Sequence, residues 1–121
     1  MARFLLLFRP RSPLPAAELI GRLDPLIERF RAEVDHRSAA HLSATVRGEH
    51  ETLRLQLIAD VQAKADGPLL ELVLMSREAM GAGAPLTKEM FRNLVTMAAQ
   101  VMPDLDLVFR SDRDGALPDR N

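Results

Sequence analysis

The sequence predicts an α+β fold, a two-layer sandwich in which two helical segments lie on one face of a mainly antiparallel sheet. Three observations carry that reading. Between His41 and Val61, apolar residues alternate with polar ones over two runs, first Leu42, Ala44 and Val46, then Leu53, Leu55, Leu57, Ala59 and Val61. Alternation of period two means strands with one buried and one polar face. Two other segments, from Ala16 and from Thr87, place apolar residues at spacings of three and four, as amphipathic helices do. A third apolar run, Leu69 to Met75, follows the turn signal Asp66-Gly67-Pro68 and adds a strand to the hairpin.

The expected element order is β-α-β-β-β-α-β. Phe4 to Phe8 is a short apolar run closed by Arg9-Pro10, which reads as a strand inside the sheet. Pro13 and Pro15 turn the chain, and Pro15 suits the first turn of a helix. Leu19, Leu23, Leu26, Ile27, Phe30 and Val34 then trace a helical stripe, interrupted at Asp24-Pro25. A proline inside a helix removes a hydrogen bond and crowds the preceding turn, so the pattern predicts a short helix over 15–22 and a longer one over 25–36. No glycine marks the end of the second.

Gly48-Glu49-His50-Glu51 is short enough for a tight hairpin turn. Antiparallel pairing across it would set Val46 beside Leu53, Ala44 beside Leu55 and Leu42 beside Leu57. In the third strand Leu70, Leu72 and Leu74 share one face, and Leu69, Glu71, Val73 and Met75 the other. Gly81-Ala82-Gly83-Ala84-Pro85 offers little side chain to pack and reads as a loop. Thr87 is the expected N-cap of the last helix, with Met90, Phe91, Leu94, Val95, Ala98, Val101 and Met102 as its stripe and Pro103 as its stop. Leu105, Leu107 and Phe109 form a last strand. Residues 1–110 thus make one domain, and 111–121 read as a flexible C-terminal tail.

Composition narrows the function classes. Hydrophobic residues make up 47% and charged residues 27% of the chain, the balance of a globular protein, and the net charge is −1. A near-neutral total and the lack of Trp and Tyr disfavour nucleic-acid binding, which calls for basic excess and stacking aromatics. No cysteine is present, so disulfide and zinc-thiolate chemistry are excluded. The apolar run near Met1 is five residues, against about 7–15 for a signal-peptide core, and no run reaches the roughly 20 residues of a membrane span. A cytoplasmic protein without a membrane segment is the expectation.

Residues that could carry chemistry are sparse. Glu49-His50-Glu51 has the composition of a metal cluster, but side chains of adjacent turn residues diverge, and no zinc-binding spacing occurs. His36 and His41 fall near one sheet edge, where Asp35 could pair with His41. No metal or other cofactor and no catalytic residue is assigned, which favours binding over an enzymatic role. The leading expectation is a small protein-interaction or adaptor module acting through its open sheet face or its edge strand, as a homodimer or with another protein. The interaction face would comprise Thr45, Arg47, Arg54, Gln56, Ile58, Val73 and Met75. The alternative is a small-ligand-binding protein or enzyme with an anion site at the 77–88 loop and helix N-terminus, using Arg77, Glu78, Gly81, Gly83, Thr87 and Lys88.

Overall fold

The computed structural model describes residues 1–47 and 53–114. Six strands form one antiparallel sheet: β1 (Ala2–Pro10), β2 (Glu33–Arg37), β3 (His41–Arg47), β4 (Arg54–Lys64), β5 (Gly67–Ser76) and β6 (Leu105–Arg110). Their spatial order is β2-β3-β4-β5-β1-β6. Helices α1 (Ala16–Gly21) and α2 (Asp24–Arg29) connect β1 to β2, α3 (Pro85–Val101) connects β5 to β6, and a helical turn, α4 (Ser111–Asp114), follows β6. Since β5 and β6 both run antiparallel to β1 and flank it, β5-α3-β6 is a split βαβ unit with β1 as its middle strand.

The two-layer architecture follows from where the apolar faces meet. Phe4, Leu6, Phe8, Leu42, Ala44, Val46, Leu55, Leu57, Ala59, Leu70, Leu72 and Leu74 are all buried on one side of the sheet. They form a single cluster with Leu19, Ile20, Leu23, Leu26 and Phe30 of the α1–α2 segment and Phe91, Leu94 and Ala98 of α3. Phe4 stacks on Phe91 with ring centroids 5.2 Å apart, tying the middle strand of the split unit to its helix.

The α+β class stands as expected, and the element order gains a strand. The helix expected over 25–36 stops at Arg29 because Arg31 takes a left-handed conformation, φ +53°. Ala32 N–H reaches back to the Ile27 carbonyl at 2.9 Å and Arg31 N–H to that of Glu28 at 3.1 Å, satisfying carbonyls that the helix end leaves open. Arg31 holds the position glycine usually takes, so the stop signal was missing from the sequence. Val34 therefore leaves the helical stripe and lies on edge strand β2, 42% exposed.

Hairpin register also differs. Val46 pairs with Leu55, Ala44 with Leu57 and Leu42 with Ala59, a slip of two residues from the expected pairs. An even slip keeps every side chain on its face. Pairing closes at Arg47 and Arg54, so the connection is longer than Gly48–Glu51; the expected tight turn at those residues lies outside the described residues. The β4–β5 connection is shorter than expected, since pairing runs to Lys64 opposite Gly67. At the other end of the chain, residues 111–114 were expected in a frayed tail but form α4, where the Ser111 hydroxyl accepts the Leu5 N–H at 2.8 Å. The remainder of that tail, 115–121, is outside the described residues.

Among the described residues, no helix is long and apolar enough to cross a membrane.

Candidate functional site

The sheet face opposite α1–α3 is built in rungs, because directly paired residues on adjacent strands project to the same side. One rung runs Thr45, Gln56, Met75, Arg3 across β3, β4, β5 and β1. The rung beyond it pairs Arg47 with Arg54. On the other side lies Ser43, Ile58, Val73, Leu5, followed by His41, Asp60, Glu71, Leu7, Phe109. The seven residues expected to share a face, Thr45, Arg47, Arg54, Gln56, Ile58, Val73 and Met75, are thus on three consecutive rungs.

The middle of this face closes on itself. Leu5, Val73 and Phe109 are buried, with Leu7, Ile58 and Met75 half-buried around them, and no residue of α1–α3 joins the cluster. Val73, expected as a contact residue, is only 4% exposed and supports the face from within. What this surface presents is its rim. Met1, Thr45, Arg54, Gln56, Met75 and Arg77 line a shallow depression of about 670 Å³, together with Leu53, Leu55 and Ser76. Arg3, Arg47, Arg54 and Arg77 are exposed, and none has an ion pair with a described residue. Sequence reasoning placed Arg77 in a separate ligand loop and left Arg3 unassigned. The alternation of Arg3 with Phe4, in a strand read as buried on both faces, was the available signal.

The second candidate, the 77–88 loop, is taken up by the protein's own acid. Glu78 accepts the Thr87 N–H at 2.7 Å, the Leu86 N–H at 3.1 Å and the Thr87 hydroxyl at 2.7 Å. Burial alone would push its carboxyl up, but these donors outweigh that and hold it below the ordinary glutamate range. A negative charge thus already sits on the first turn of α3, where an incoming anion would have to bind. Thr87 is not the N-cap: it is fully buried in the first turn, its hydroxyl 2.6 Å from that of Ser76. A methyl group added at Gly81 or Gly83 would meet no atom within 4 Å, so neither glycine forms a tight cradle. Lys88 is half-buried and sits close enough to Asp112 to help hold that carboxyl low, behind the larger effect of the Arg110 guanidinium.

The polar end of the face is internally paired. His41 Nδ1 lies 2.6 Å from Asp60 Oδ1, and the His36 and His41 rings are 5.7 Å apart. Asp35 accepts from the Thr45 hydroxyl at 2.8 Å rather than pairing with His41, because Asp35 is the extra residue of a bulge between Val34 and His36. Gln62 donates to Glu71 at 2.9 Å. Among the described residues, no three His, Asp or Glu side chains are arranged to hold a metal ion; His50 lies outside them. Edge strand β2 is five residues long, bulged and largely charged, with every residue exposed, features that blunt strand addition.

Comparison with protein-family models and with curated proteins finds no match to this chain.

Proposed function

We propose that the chain is a small cytoplasmic protein-interaction module that docks its partner on the sheet face opposite the helices. One observation carries this reading: α1–α3 all join the core on one side, while the other side carries half-buried Ile58 and gathers exposed Arg54 and Arg77 and half-buried Met75 around a depression. Interfaces are enriched in arginine and methionine and depleted in lysine, which is the composition of this rim. The edge-strand route is the weaker one, given the charge and bulge of β2.

The test is partner recovery with matched surface variants. Tagged wild-type protein is purified from its native cells beside Met75→Lys, Ile58→Lys and Arg92→Glu, the last on the exposed side of α3. A partner that is lost with the first two and retained with the third supports the reading. The same recovered species from all four, or loss with Arg92→Glu alone, overturns it. Size exclusion with light scattering, run on the wild type, separates a second copy from a different partner.

A further inference from the structure

We infer that the partner presents an acidic segment, its carboxylates on Arg3, Arg54 and Arg77 and an apolar side chain of the same segment against Met1 and Met75. This rests on the docking reading above and adds the chemistry of the occupant. Arg47 and Arg54 are direct cross-strand neighbours, an arrangement of like charges that costs stability unless an anion lies over it. Arg77 lines the same depression as Arg54, and Arg3 stands opposite Met75 on the next rung. Glu49 and Glu51, which fall between Arg47 and Arg54 in sequence, lie outside the described residues. Among the described residues, Arg3 and Arg77 add to the positive charge of Arg47 and Arg54 at this corner.

Glu78, adjacent to Arg77, does not offset it, because its carboxylate is turned to the Leu86 and Thr87 donors of α3. Glu33 and Asp35, on β2, bound the patch on one side, and Asp35 is engaged by Thr45. The guanidinium is planar and weakly hydrated, suited to paired hydrogen bonds with a carboxylate in a partly dried groove.

Among its described residues, a second copy of the chain offers few carboxylates for that role. The aspartates of the described residues are already engaged: Asp24, Asp66, Asp104, Asp106, Asp112 and Asp114 with arginines, Asp60 with His41, Asp35 with Thr45. The glutamates left over, Glu18, Glu28, Glu33 and Glu89, are scattered over α1, α2, β2 and α3. A nucleic acid fits the corner less well than a peptide, since none of the described residues lining it carries an aromatic ring to stack a base and Met1 and Met75 offer apolar contact instead.

The test is fluorescence anisotropy with the purified full chain and a labelled peptide, Asp-Leu-Glu-Asp-Leu-Glu-Asp-Leu, at low salt. Its controls are the same peptide with lysine for each acid, an oligothymidylate and a short polyphosphate. The acidic peptide should bind, the lysine peptide should not, and the Arg54→Glu/Arg77→Glu pair should weaken binding by about tenfold or more. Arg3→Glu should weaken it too, and Arg92→Glu should leave it unchanged. Each variant is checked by its far-UV spectrum and urea midpoint. No binding by the acidic peptide, binding indifferent to the Arg54/Arg77 pair, or equal or tighter binding of oligothymidylate or polyphosphate overturns the inference. If the peptide fails while Met75→Lys and Ile58→Lys still abolish partner recovery, the acidic-segment inference falls and the docking face stands. If those variants recover the same partner, the docking reading itself falls.

Discussion

Arg31 and Glu78 each do a task that sequence patterns usually give to another residue. Arg31 holds the left-handed turn that stops α2, at a φ of +53° where a side chain with a Cβ is disfavoured by about 1–2 kcal/mol. Arg31→Gly should therefore stabilise the protein by about 0.5–1 kcal/mol, the relief of strain being reduced by the greater freedom of glycine in the unfolded chain. A higher urea midpoint with unchanged slope is the expected outcome; a lower midpoint would mean that the Arg31 side chain contributes more than its backbone costs. Glu78 closes the first turn of α3 from a loop rather than from the N-cap position, which is Ala84. Its carboxyl is held below the ordinary range, so its contribution is fully present above the unfolded value of about 4.3 and fades as pH falls through the lower folded value. Asp112, hydrogen-bonded to Arg110, is shifted in the same direction from its own unfolded value of about 3.9, so its part begins to fade at a lower pH than that of Glu78. The loss of stability between pH 7 and pH 3 should be smaller in Glu78→Gln than in the wild type and retain the Asp112 part. An equal loss in both would remove Glu78 from the acid response.

At the scale of elements, the alternating strands were legible because two-fold periodicity specifies a face whatever the pairing. Leu55 is fully buried and Gln56 is exposed, although the register differs by two residues from the expected one. Leu55→Ala should cost about 2–5 kcal/mol and Gln56→Ala no more than about 0.5, read as urea midpoints; comparable effects would place the strand in the opposite phase. Strand β2 was illegible for a different reason. Val34 falls four residues after Phe30, so it continues the helical stripe in sequence, and only the left-handed Arg31 breaks the helix before it. Once formed, β2 pairs on one side only and buries none of its residues. Its amide protons should exchange earlier than those of β4 and β5, which are paired on both sides. Equal protection would mean that β2 opens only with the whole sheet.

For the whole molecule, the face that carries the candidate site was legible and its chemistry was not. Periodicity assigned Thr45, Arg47, Arg54, Gln56, Ile58, Val73 and Met75 to one side of the sheet. The pairing of β1 between β5 and β6, which no local pattern encodes, brings Arg3 beside Met75 and Leu5 beside Val73. That placement also couples the two sides of the sheet. Through β1, Phe4, Leu6 and Phe8 enter the helix-covered core, while Leu5 enters the opposite cluster with Val73 and Phe109. One backbone cannot leave one cluster and stay in the other, so both should melt in a single cooperative step. The chain has no Trp or Tyr, which lets an introduced tryptophan report alone. Phe30→Trp places the reporter in the core beneath the helices, and Phe109→Trp places it on the far side of the sheet. In each variant the fluorescence and far-UV urea transitions should coincide, even if the larger ring lowers both midpoints by overpacking. A fluorescence change in Phe109→Trp that precedes loss of the far-UV signal would mean that the far cluster opens independently, and that β1 does not hold the two faces together.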